Sequence, residues 1–199
     1  MLDADFFRRW MTATAALVDR DAERLTALDS PIGDADHGSN LQRGFTAVVA
    51  TLEKEAPGTP SAILTLAGRQ LISSVGGASG PLYGTLLRRT GKALGDAAEV
   101  SREQLAEALR TGVDAVRTLG GAAPGDKTMI DALVPAVDAL DESFAAARAA
   151  ALAGAEATTP LLARKGRASY LGERSIGHQD PGATSSALLI EGLQEASGE

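Results

Sequence analysis

The sequence predicts an all-helical single domain over residues 1–199, and three observations predict it. Hydrophobic residues make up 44% of the chain but aromatics only 4%, so Ala and Leu, the strongest helix formers, must carry the packing. Apolar residues recur at helical spacing, and no stretch alternates convincingly as a strand does. Glycine- and proline-rich breaks divide the helical stretches, with no repeat of fixed period and no interdomain linker.

The first helix runs from Asp3 to about Leu28, where Phe6, Trp10, Leu17, Leu25 and Leu28 share a face without Gly or Pro. A second runs from Ser39 or Asn40 to Glu55, with Leu41, Phe45, Val48, Val49 and Leu52 along one side, and ends at Pro57-Gly58-Thr59-Pro60. Ser61 to Val75 forms a third, stopped by Gly76-Gly77-Ala78-Ser79-Gly80, and a fourth opens near Pro81, a residue suited to a first turn, and ends near Gly95. Ser101-x-x-Gln104 has capping-box form and opens a fifth, to about Leu119. Gly120 to Gly125 ends it, and Asp126 or Thr128 caps a helix through Leu140, disturbed at Pro135. An Ala-rich helix covers roughly Glu142 to Ala155, and a further short one precedes Lys165. Gly166 to Gln179 reads as an ordered loop or short helix, and Asp180-Pro181 as N-cap and first-turn proline of a last helix through Gln194. The sum is about eight helices joined by short loops.

Net charge is −7, which speaks against an electrostatic nucleic-acid surface. There is no Cys, which removes disulfides and thiolate metal sites. No apolar run reaches membrane-spanning length, and Met1 to Trp10 does not read as a signal peptide. The expectation is a cytoplasmic protein that binds neither nucleic acid nor membrane.

The chemistry concentrates in Asp29-Ser30-Pro31-Ile32-Gly33-Asp34-Ala35-Asp36-His37-Gly38-Ser39-Asn40. Three carboxylates at close quarters repel one another, and a hard cation such as Mg²⁺ or Ca²⁺ resolves the conflict with oxygen ligands. Helix caps and solvated turn residues are the plain alternative for these aspartates. The stretch lacks the EF-hand pattern. Three glycine-rich breaks, Gly76 to Gly80, Gly120 to Gly125 and Gly177 to Gly182, precede helix N-termini, where free backbone N–H groups favour anions. Beside the aspartates they suggest a phosphate ligand bridged by metal. Neither a P-loop nor a dinucleotide fingerprint is present. Lys127 and Arg167 read as solvated charge, and Tyr83 and Tyr170 as packing.

Four blocks carry a resemblance: Ile32 to Gly38, Gly76 to Thr85, Pro124 to Leu133, and Lys165 to Ala183. In this order they strongly resemble the ADP-binding L subunit of dihydroxyacetone kinase over nearly the whole chain. One departure is visible. Ala35 stands where that family has the middle glycine of Gly-Asp-Gly-Asp-His-Gly; if the position requires positive φ, Ala costs roughly 1 kcal/mol.

The resemblance implies an antiparallel barrel of about eight helices, with ADP and two Mg²⁺ in the loops at one end. It implies Asp29, Asp34 and Asp36 as metal ligands. His37, Gly38, Ser39 and Asn40 match the turn that touches the phosphates, and Ala78 and Ser79 a further phosphate contact. Gly120 and Met129 fall where the nucleoside is enclosed, and Arg174 with Asp180, Pro181 and Gly182 where the site closes. Arg174 is the electrostatic candidate in phosphoryl transfer, with no covalent nucleophile on this chain; as a bare residue it reads equally as half of a surface ion pair. The implied partners are a K-type subunit that holds dihydroxyacetone and a multidomain phosphotransferase-system phosphoryl carrier that recharges ADP to ATP. An ATP-dependent arrangement, and a regulatory use through a transcription regulator, remain open.

Overall fold

The computed structural model describes all residues from Met1 to Glu199. Its helices are α1 (Ala4–Asp29), α2 (His37–Glu55), α3 (Pro60–Ser74), α4 (Ser79–Leu94), α5 (Arg102–Gly120), α6 (Ile130–Ala139), α7 (Phe144–Ala157) and α8 (Pro181–Ser197), with a 3₁₀ helix at Arg167–Ser175. Each α-helix packs on its successor, and α8 returns to α1, so the bundle closes into a ring. Buried Trp10 seals that closure: its indole Nε1–H donates to the Leu189 carbonyl of α8 at 2.8 Å. Phe6, Phe7 and Phe144 gather beside it. One contiguous cluster of 46 buried apolar residues, dominated by Leu, Ala and Val, fills the ring, as the composition requires.

Short connections reverse the chain at each step, so alternate connections share an end. The α1–α2, α3–α4, α5–α6 and α7–α8 connections lie together. At the other end, β1 (Leu2–Asp3) pairs antiparallel with β2 (Glu99–Val100), which pins the N-terminus to the α4–α5 connection. Strands of two residues are too short to leave an alternating pattern in a sequence.

The two ends differ in how their helices are capped. Asp3, Thr59, Ser101 and Ser143 cap α1, α3, α5 and α7 with their own side chains at the far end, and Ser101 with Gln104 completes the expected capping box. At the near end α2, α4 and α6 begin without an N-cap side-chain bond; only α8 has one, in which the Ala183 N–H donates to the Asp180 carboxylate.

Three boundaries differ from expectation for identifiable reasons. Helix α2 starts at His37 rather than Ser39, because Asp29 holds the backbone N–H groups of Asp36 and His37 from outside the helix. Helix α6 starts only at Ile130: the Asp126 carboxylate is turned back onto the Ala123 N–H, while Asp131 accepts from Gly125 and Thr128. No further helix lies between α7 and Lys165; residues 158–160 form a turn and residue 161 a bend.

Candidate functional site

A cleft of about 530 Å³ opens at the end where the uncapped helices begin. All four connections at that end line it, and none from the far end does. Its volume suits a ligand the size of a nucleotide.

The first wall is acidic. Asp29 ends α1, and its backbone carbonyl accepts the Ile32 and Gly33 N–H groups, which turns the chain back. Its carboxylate Oδ2 accepts the backbone N–H of Asp36 at 3.0 Å and of His37 at 3.3 Å. A single buried side chain thus folds the loop onto the start of α2. The loop brings one carboxylate oxygen each of Asp29, Asp34 and Asp36 within 4.8 Å of one another. This passes the test for a hard divalent cation: an all-oxygen donor set, two members open to solvent, and the third held in place by backbone amides. The Ala35 φ is +59°, so the position does take the left-handed conformation that favours glycine.

Across the cleft mouth, Arg167 Nη2 forms an ion pair with Asp34 Oδ2 at 2.9 Å. The solvated charge expected at Arg167 is therefore a cleft residue. Arg174 lies outside the lining and is exposed. Gly172, at φ +57° and ψ −133°, breaks the 3₁₀ helix between them, so Arg167 and Ala168 reach the cleft while Arg174 does not.

Beneath the acidic loop runs a buried polar chain. His37 Nε2 lies 2.9 Å from Ser185 Oγ and its Nδ1 lies 3.3 Å from Ser79 Oγ. Tyr83 Oη, inside the core, lies 2.7 Å from Ser185 Oγ and 2.9 Å from Ser186 Oγ. Burial lowers the His37 pKa despite the opposing aspartates, which leaves the ring neutral at neutral pH. Burial pushes Tyr83 up to about 12, so the phenol stays protonated.

Helix α4 opens on the opposite side of the cleft. Ala78 and Ser79 line the cleft, and Ala78 offers no polar side chain to cap α4. The first turn carries N–H groups at Ser79 and Gly80 but none at Pro81, and an uncapped helix start of this kind suits an anion. The remaining wall is apolar: Ile32, Leu82, Val116, Leu119, Met129 and Ile130, with Gly120 at its edge. Met129 is buried, at once a cleft-lining residue and a member of the core.

Asp180, Pro181 and Gly182 line the floor. Burial raises the Asp180 carboxyl from 3.8 to about 7, with Asp131 and Asp29 adding to the rise and the Ala183 N–H and Lys127 opposing it. Lys127 is itself buried, with its ammonium on backbone carbonyls rather than in solvent. Burial lowers its pKa, against the pull of Asp180.

Gly38, Ser39 and Asn40 form the first turn of α2, directly after the lining residue His37. Gly38 is packed on α1, where a Cβ would come 1.9 Å from the Ala22 carbonyl oxygen, so its glycine serves helix approach. The Ser39 hydroxyl donates to the Asp36 carbonyl at 3.0 Å, and the Asn40 side-chain oxygen accepts from Arg43 at 2.6 Å. None of the three lines the cleft. Ile32, Leu82, Tyr83, Lys127, Lys165 and Arg167 do, beyond the residues singled out from sequence.

A family model described as the DAK2 domain matches residues 31–195. A protein of Escherichia coli named "PEP-dependent dihydroxyacetone kinase, ADP-binding subunit DhaL" is 46% identical over 96% of this chain and 95% of its own length. A "PTS-dependent dihydroxyacetone kinase, ADP-binding subunit DhaL" of Lactococcus lactis is 39% identical over 98% of both. The crystal structure of the C. freundii dihydroxyacetone kinase in complex with AMP-PNP and Mg²⁺ superposes with a TM-score of 0.77 at 30% identity, over 94% of this chain and 33% of that one. No helix here is long and apolar enough to cross a membrane. The chain belongs to the DAK2-domain family, among the ADP-binding subunits of dihydroxyacetone kinases.

Proposed function

We propose that this chain is the nucleotide-carrying subunit of a dihydroxyacetone kinase, which passes a phosphoryl group from bound ATP to dihydroxyacetone held on a separate K-type subunit. The observation that carries the reading is the pairing, in one cleft, of the three-carboxylate cluster with the uncapped start of α4. One feature takes divalent metal and the other takes phosphate oxygens. Asp29, Asp34 and Asp36 would hold Mg²⁺, two ions by the family expectation, and the metal when bound supplies neutralisation of phosphate charge. The α4 amides and Ser79 bind the phosphates, Arg167 adds a mobile positive charge at the mouth, and the wall around Met129 and Leu82 packs the base. Phosphoryl transfer asks mainly for positioning and charge complementarity, and no nucleophile on this chain is needed.

The donor reading is supported by relatives matched over nearly their full length, which are named as PEP- or PTS-dependent. On that reading ADP stays bound and is recharged by a phosphotransferase-system carrier. The test is reconstitution with a K-type subunit and dihydroxyacetone. Dihydroxyacetone phosphate should form with phosphoenolpyruvate and the phosphocarrier chain, and only in the presence of the K-type subunit. Turnover with free ATP alone would reassign the donor, and phosphate release without the K-type subunit would make the chain a hydrolase.

A further inference from the structure

Lys127 stands out among the residues this function does not use. It is 1% exposed, yet it carries an ammonium and has φ +63°, a conformation L-residues rarely adopt. Strain of that kind costs on the order of 1 kcal/mol and persists only where the surroundings hold it in place. Here the hold is visible. The Lys127 Nζ donates to the carbonyls of Thr158 at 2.9 Å, Thr159 at 3.3 Å and Leu161 at 3.1 Å. An ammonium has three donors, and all three are taken. No N–H remains for a phosphate, so Lys127 is not a catalytic residue although its side chain lines the cleft.

Its partners are informative. Thr158 is the C-cap of α7, so the charge sits where the helix leaves its carbonyls unpaired and its dipole is negative. The Thr158 hydroxyl oxygen, in turn, accepts the Asp180 N–H at 2.9 Å. Thr159 also receives the Gly177 N–H on its carbonyl at 2.8 Å. The same turn therefore binds Lys127 on one side and the start of α8 on the other. A second tie runs parallel, from the Arg164 N–H to the Asp126 carbonyl at 3.1 Å.

We infer that Lys127 is a positioning residue for the nucleotide: it clamps the α5–α6 connection, which carries Met129, to the Thr158–Leu161 turn that fixes Asp180, and so sets the width of the cleft between its apolar wall and its floor. The acidic loop has its own anchor in Asp29, and it meets the α7–α8 connection only beyond the Thr158–Leu161 turn, at Ala163, Arg167 and Ala168. The clamp thus governs the nucleotide and leaves the metal ligands alone. The inference rests on the nucleotide reading proposed above, and its test separates the two.

The experiment is calorimetric titration of the full chain and its Lys127→Met variant, each first stripped of metal and nucleotide with a chelator and dialysed, with Mg²⁺ alone and with ADP in excess Mg²⁺, at low and high salt. Unaltered protein that binds no ADP overturns the nucleotide reading itself. If it binds, Lys127→Met should keep Mg²⁺ affinity within about twofold and lose about tenfold in ADP affinity, the scale on which an outer support of a binding site acts. The loss should persist at high salt, because it comes from geometry. An unchanged ADP affinity, an equal loss for Mg²⁺ alone, or a loss that salt abolishes would each overturn the clamp; the last would make Lys127 a direct electrostatic contributor. Should Lys127→Met fail to fold, Thr158→Val, which removes the oxygen that receives the Asp180 N–H while leaving the ammonium untouched, must show the same selective loss.

Discussion

Arg167 and Asp34 meet across the mouth of the cleft, guanidinium to carboxylate at 2.9 Å, so the arginine stands on one of the three proposed metal ligands. A cation and a divalent ion compete for the same oxygen. The Arg167 side chain is largely exposed and that of Asp34 partly so, so the pair is worth at most about 1 kcal/mol. Arg167→Ala should therefore raise the affinity for Mg²⁺ alone, by up to about fivefold, while it lowers the affinity for ADP in the presence of Mg²⁺. Calorimetry reads the two separately. Parallel losses would show that Arg167 does not compete for Asp34.

The three aspartates should differ in what they do for the fold. The Asp29 carboxylate holds two backbone amides at the start of α2, whereas exposed Asp34 has only the arginine. Asp29→Ala should cost about 2 kcal/mol of stability, from amides left without their charged acceptor. Asp34→Ala should cost less than about 0.5 kcal/mol. Both should lose Mg²⁺-dependent ADP retention. Urea unfolding supplies the first comparison and gel filtration with bound-nucleotide analysis the second.

Ala35 carries left-handed strain at φ +59° between two of those carboxylates. Ala35→Gly removes a Cβ penalty of about 1–2 kcal/mol and adds unfolded-chain entropy of about 0.5–1 kcal/mol. A net gain of about 0.5–1 kcal/mol is expected, read as a raised urea midpoint at unchanged slope. Lower stability in the variant would mean the loop draws no strain from this position.

Asp180 gives the account a pH signature. Its carboxyl takes up a proton near 7 in the folded chain but near the ordinary carboxylate value when unfolded. Between these values the folded chain holds more protons than the unfolded one, so its contribution to stability falls as pH rises and stays low above about 7. Asp180→Asn should therefore gain stability relative to the parent from about pH 5 to about pH 8 in metal-free buffer. Parallel profiles for the two proteins would contradict the raised value.

Much of this was legible in the chain. Helix periodicity, the capping box at Ser101 and the proline-led start of α8 are local signals, and each appears where the sequence put it. The aspartate cluster was legible for the same reason, since its members lie within eight positions and crowded carboxylates have few uses. What could not be read is tertiary. Lys127 looked solvated because its three carbonyl partners are more than thirty positions away. Arg167 and Arg174 share one short polar segment, and only the break at Gly172 separates the one at the cleft from the one outside it. The close packing of α2 on Ala22 of α1 at Gly38, where a Cβ would not fit, is likewise a tertiary contact. The helix expected ahead of Lys165 is absent, and the Thr158–Leu161 turn there is held by Lys127, which no local pattern announces.

The central claim is that the carboxylate cluster and the bare start of α4 together hold a metal-bound nucleoside diphosphate. Native mass spectrometry of the purified chain tests it most directly. The account predicts a mass increased by one ADP together with divalent metal, lost on chelation and restored only when ADP and Mg²⁺ are supplied together. A chain that stays bare in excess ADP and Mg²⁺, or that takes up ADP equally well in a chelator, would contradict it.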